Sequence, residues 1–192
     1  MASMTTTLSI TTTLILTSLL MLLIPLYMID QDEISKNALA QTSGGAGNTF
    51  EMDGQISSLV LGMPPNTKNV DMTTVPKFIL SGDWDMNVEN GNLTDFRANF
   101  YTGPVNGAEN HTHQLGNFTI DENTPIQLSP DKSISLSGIL DVGTNDNSAW
   151  DNVNATVDVS KGRSITISLA DEDTERHFMG QQIFGIVKGL RM

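Results

Sequence analysis

From residue 50 onward the apolar residues recur mostly at every second position, in short runs separated by Gly, Asn, Asp and Pro. Alternation of period two places one face of an extended strand against a core and leaves the other wet. Trp84, Met86 and Val88 alternate, Asn90-Gly91 supplies a turn, and Phe96, Ala98 and Phe100 alternate again, so residues 83–102 are expected to form a hairpin. Phe50, Met52 and the run Ile56 to Leu61 predict an earlier strand, and Pro64 to Val75 reads as a loop. Later strands are expected around Ile134 to Leu140, Val153 to Val159, Ile165 to Leu169 and Ile183 to Val187, with Lys161-Gly162 as a turn. About eight or nine short strands at this spacing predict an all-β body, a β-sandwich of Greek-key or jelly-roll arrangement over residues 50–192.

The N-terminal pattern is different. Residues 8–29, LSITTTLILTSLLMLLIPLYMI, hold no charge and are long enough to cross ~30 Å of hydrocarbon as a helix. A buried soluble helix rarely stays apolar on every face for that length. Residues 1–29 are therefore expected to be one transmembrane anchor or uncleaved signal, and residues 30–49, polar with a Gly-rich end, a flexible stalk. Cleavage after Ala38-Leu39-Ala40, near Ala40, is the alternative, giving a secreted body. The apolar stretch exceeds the usual signal core, and Asp30 to Glu33 separates it from the small-residue site, which favours the anchor. The expected placement is a single pass through the cytoplasmic membrane with the body outside.

Composition sharpens this picture. The chain of 192 residues carries 22 acidic and 10 basic side chains, net −12, and the first 29 residues contribute none of them. Such a body repels phosphate backbones, and no Lys or Arg cluster reverses this locally, so nucleic acid is not expected as a partner. The absence of cysteine removes disulfides, thiolate metal sites and cysteine nucleophiles. Expected partners are the membrane, through residues 8–29, and an extracytoplasmic protein or surface layer.

The histidines carry the most specific chemistry. His111 and His113 point to one face if their segment is extended, and His177 is the one other imidazole in the chain. Three imidazoles converging on one point would make the open His site typical of zinc or copper. The acidic residues Asp171, Glu172, Asp173 and Glu175 would be placed to add a carboxylate ligand or to accept from a ring N–H. The competing reading leaves the pair on a strand edge and His177 packed in a loop. Asp141, Asn145, Asp146 and Asp151 form a second candidate, a calcium loop by composition, although its spacing is not that of an EF-hand. Asn and Asp are also ordinary turn residues. Asn92, Asn110, Asn117 and Asn154 each open an Asn-x-Thr sequon for glycosylation. Neither a Gly-x-Ser-x-Gly elbow nor a phosphate-binding loop is present, so a binding module is preferred to an enzyme.

The segments FILSGDW at 78–84, VENGNLTDF at 88–96 and HTHQLGNF at 111–118 resemble a group of uncharacterised exported, membrane-anchored proteins of ammonia-oxidising archaea. That resemblance spans most of the body and implies an external or pseudo-periplasmic setting, with no established activity to carry over. It also implies a preference for copper as the metal, since such organisms are thought to rely on copper chemistry. The leading expectation is thus a tethered β-sandwich binding module, with a copper or zinc protein built on His111, His113 and His177 as the alternative.

Overall fold

The computed structural model describes residues 48–64, 66–105, 110–121 and 124–192. The anchor, the stalk up to residue 47 and the cleavage site near Ala40 lie outside the described residues. The eight strands are β1 (Phe50–Leu61), β2 (Lys77–Glu89), β3 (Asn92–Pro104), β4 (His111–Ile120), β5 (Ile134–Thr144), β6 (Asn147–Ser160), β7 (Ser164–Leu169) and β8 (Ile183–Arg191).

Each strand pairs antiparallel with the next, and β8 returns to pair with β1, so the sheet closes into a single barrel. This corrects the sandwich expectation in both its layers and its Greek-key or jelly-roll order. Alternation reports that one face of each strand is buried, and a closed sheet meets that condition as fully as two stacked sheets do. The deciding contact joins Glu51 to Arg191 and Ile56 to Gly185, across the whole domain, and no local pattern announces it.

The barrel is turned at its corners by devices that are local. Asn90-Gly91 takes φ of 51° and 78°, Asn145-Asp146 48° and 62°, and Lys161-Gly162 52° and 59°. Paired left-handed residues match the twist of two-residue hairpins. Register shifts at Asp53/Gly54, Asn87/Val88, Gly116/Thr119 and around Val142 add curvature. At Gly54 the closure is tightest, since a Cβ there would lie 1.9 Å from the Ile186 carbonyl oxygen and 2.5 Å from Trp84 Nε1. Trp84 lies against this glycine and donates its indole N–H to the Ile186 carbonyl at 3.1 Å, tying β2 to β8 past β1.

Inward positions are filled by Ile56, Leu80, Trp84, Met86, Leu140 and Ile167, among others, so the interior is a packed core. Outward positions include the charged and polar Glu51, Asp83, Arg97 and Asn99. One end is plugged by the segment 124–133, with Ile126 buried and its N–H bonded to the Gly91 carbonyl. The other end gathers the end of β3, the starts of β4 and β6, and the end of β5. Over it lies the connection 170–182, which contains His177.

Candidate metal centre

His111 and His113 enter this second end on the inward face of β4. Their cross-strand partners are Thr102 and Phe100, both inward on β3, which fixes the shared face that the spacing predicts. His113 is 0% exposed. Its Nδ1 stands 3.4 Å from the Gly143 carbonyl oxygen and 3.2 Å from Thr144 Oγ1 on β5. A carbonyl only accepts, so the proton belongs on Nδ1 and the lone pair on Nε2.

His177 comes from the 170–182 connection, where Glu175, Arg176 and Met179 all have positive φ, at 49°, 63° and 54°. Such conformations cost about 1 kcal/mol or more each and persist only where surroundings impose them. Here Thr174, fully buried, aims its hydroxyl at the Ala170 carbonyl at 3.3 Å. Gln181 clamps the far side of the connection to the end of β1, accepting from the Leu61 N–H and donating to the Leu61 and Met63 carbonyls. The strain is spent on delivering one imidazole to the barrel mouth.

The three rings converge. His177 Nε2 lies 3.1 Å from His113 Nε2 and 3.2 Å from His111 Nε2, and the three ligand atoms all fall within 4.8 Å of one another. For zinc–nitrogen bonds of ~2.0–2.1 Å, the nitrogens at two corners of a tetrahedron are about 3.3 Å apart. Two edges of the triangle are therefore already at the spacing of a four-coordinate ion. A single proton on His177 Nε2 can serve one of its two nitrogen contacts well; an ion that accepts all three lone pairs serves both.

The electrostatics agree with this geometry. Burial, then the neighbouring His177 and His111, push His113 down to about 3, and burial followed by His111 lowers His177. His177 is exposed on its outer side, although its ring packs on Trp150 at 5.1 Å and on Phe178 at 5.1 Å. Phe100 and Phe178 flank His113 at 5.3 and 5.0 Å. The site thus sets imidazole nitrogens, those of His113 and His177 disfavoured for protonation, inside an aromatic collar, suited to a borderline or soft cation.

The acidic run takes no ligand position in this group. Asp173 accepts from the Asn154 N–H and side-chain amide at 2.9 and 2.8 Å, bonds that lower its pKa. Asp171 pairs with Arg176 at 3.9 Å. The acceptors for the His113 ring are instead Gly143 and Thr144, which no residue-type pattern marks as partners. Phe100 could have been placed from its alternation with Ala98; Thr144 and Phe178 could not.

Asp141, Asn145, Asp146 and Asp151 lie on and beside the β5–β6 hairpin, and each has an oxygen in a hydrogen bond with a neighbour. Asp141 accepts from the Asn117 amide and the Asn152 N–H, Asn145 from the Thr112 N–H, Asp146 from Gln114 and Asp151 from Ser148. Among the described residues the three histidines are the group of His and carboxylate side chains whose ligand atoms converge. Asn92, Asn110, Asn117 and Asn154 are all exposed.

No family model, curated protein or solved structure matches the chain. The comparisons thus provide no link to exported proteins of archaea.

Proposed function

We propose that this protein is a His-ligated metal protein, with His111, His113 and His177 binding one zinc or copper ion through Nε2 at the mouth of a β-barrel. The observation that carries this reading is the pair of Nε2 contacts at 3.1 and 3.2 Å made by a histidine brought from 64 residues away, over a strained connection. Three imidazole ligands leave a fourth coordination position for water or a ligand, as in sites that polarise a bound oxygen. The proposed setting is outside the cytoplasmic membrane, supported by the uncharged stretch 8–29.

The test is elemental analysis of the detergent-solubilised full chain after loading with zinc or copper(II) and desalting, beside His113→Ala and His177→Ala. Near-stoichiometric metal that is lost in both variants supports the reading; equal metal in all three, or none in the wild type, rejects it.

A second reading, the binding module, has its own support on the outer wall. Leu59, Ile79, Tyr101, Phe184 and Ile186 are exposed on the neighbouring strands β8, β1, β2 and β3, and clustered apolar side chains often mark contact surfaces. An extracytoplasmic protein or surface layer is the proposed partner. Cross-linking in native membranes should give an adduct that Ile79→Lys abolishes; an adduct indifferent to that change would count against this surface.

A further inference from the structure

Beside the histidines the barrel mouth holds a cavity of about 410 Å³. Its wall combines Val60 of β1, Phe78 and Leu80 of β2, and Thr102 of β3 with Phe178 and Met179 of the connection above. His111 and His177 belong to the same wall, whereas His113 does not. The cavity therefore adjoins the His111–His177 side of the triad, and His113 stands behind it.

A second observation is independent of the cavity. Thr102 is 6% exposed, and its Oγ1 has no hydrogen-bond partner. A buried hydroxyl without a partner is destabilising unless something else compensates. This one sits on a cavity-lining residue, directly across the strand pair from His111. Apolar walls with one or two convergent polar groups are the composition of a small-molecule site, and this volume lies within the usual range for one.

We infer that the cavity is the pocket for a small aromatic molecule bearing an oxygen-donor group at one end, its ring among Val60, Phe78, Leu80 and Phe178 and that group directed to the metal and Thr102. This inference rests on the proposed metal centre for the anchoring of the oxygen. The apolar wall supplies affinity for the ring, and the ion and the hydroxyl select the end that carries oxygen. Glu175 and Arg176 stand at the cavity with opposite charges, so the local field does not decide between a phenol and a carboxylate.

The experiment compares two hydroxamates on the zinc-loaded full chain in detergent, by calorimetric titration. Acetohydroxamate and benzohydroxamate present the same oxygens to the ion, and they differ in the ring. Benzohydroxamate should bind at least tenfold more tightly, Val60→Phe should erase that advantage without loss of zinc, and Thr102→Val should weaken both ligands severalfold. Equal affinities in the wild type overturn the pocket while leaving the metal centre standing, and this comparison needs no variant to fold. If the protein holds no zinc, the metal reading fails by itself. The pocket is then read by fluorine NMR with 4-fluorophenol on the metal-free chain, where broadening that Val60→Phe abolishes retains the aromatic site and an unshifted, sharp line removes it.

Discussion

His113 combines the properties that define the centre: it is fully buried, it is held through Nδ1, and its neighbours disfavour its charge. Its folded-state pKa lies far below the ordinary value of 6.5, so below pH 6.5 the unfolded chain binds a proton that the folded chain refuses. Stability from this group is fully present above pH 6.5 and is lost progressively as pH falls from there toward 3. The metal-free protein should lose about 2 kcal/mol between pH 7 and pH 5 from this residue alone. Urea titrations at the two pH values check it, and His113→Phe should flatten the difference; an unchanged slope in that variant would place the pH dependence elsewhere. Its Nδ1 gives a separate expectation. Thr144→Val removes one of its two partners and should weaken metal binding roughly tenfold with little change in melting temperature, as read by competition with a chromogenic chelator. At the opposite extreme of chemistry stands Gly54, where a methyl group would meet the Ile186 carbonyl. Gly54→Ala should cost about 3 kcal/mol or more, or prevent folding, because the obstructing carbonyl belongs to the closing strand β8 and the Trp84 indole of β2 stands against the same point.

At the scale of elements, the hairpins were legible and the connections were not. Asn90-Gly91 between two alternating runs foretells β2 and β3, and the observed turn has the backbone that Asn-Gly favours. The described residues of the loop expected over Pro64 to Val75 are free of strand. The shared face of His111 and His113 follows from period two alone. By contrast, the 170–182 connection reads as a polar, acidic stretch, and its role depends on Gln181 reaching Leu61 and Met63, about 120 residues away. That is a side-chain amide fitted to backbone groups, with no periodic signature. Gln181→Ala should therefore unclamp the connection: hydrogen exchange at residues 174–181 should quicken and metal affinity fall, while exchange within β2 and β3 stays slow. Uniform quickening across the barrel would show instead that the connection is part of the global fold's stability.

For the whole molecule, the strand count and the all-β class were contained in the sequence, but closure was not. A sheet of eight antiparallel strands becomes a barrel or a sandwich according to whether its first and last strands meet, a property of twist, bulges and glycines summed around the ring. Closure would also make the proposed metal centre global, because its three histidines come from β4 and from the connection ahead of β8, the strand that seals the barrel. An ion bound to the native state alone stabilises it by about 2.7 kcal/mol at a hundredfold excess over Kd. Zinc or copper at that excess should raise the calorimetric Tm by about 9 °C, and the His177→Ala variant should show no such rise.

The central claim is that three imidazoles hold one ion through Nε2. X-ray absorption at the zinc edge of the zinc-loaded full chain tests it most directly. The account predicts a first shell of three imidazole nitrogens at about 2.0 Å, with one further oxygen or nitrogen ligand completing four-coordination. A shell made of oxygens, or one containing fewer than three imidazoles, would contradict it.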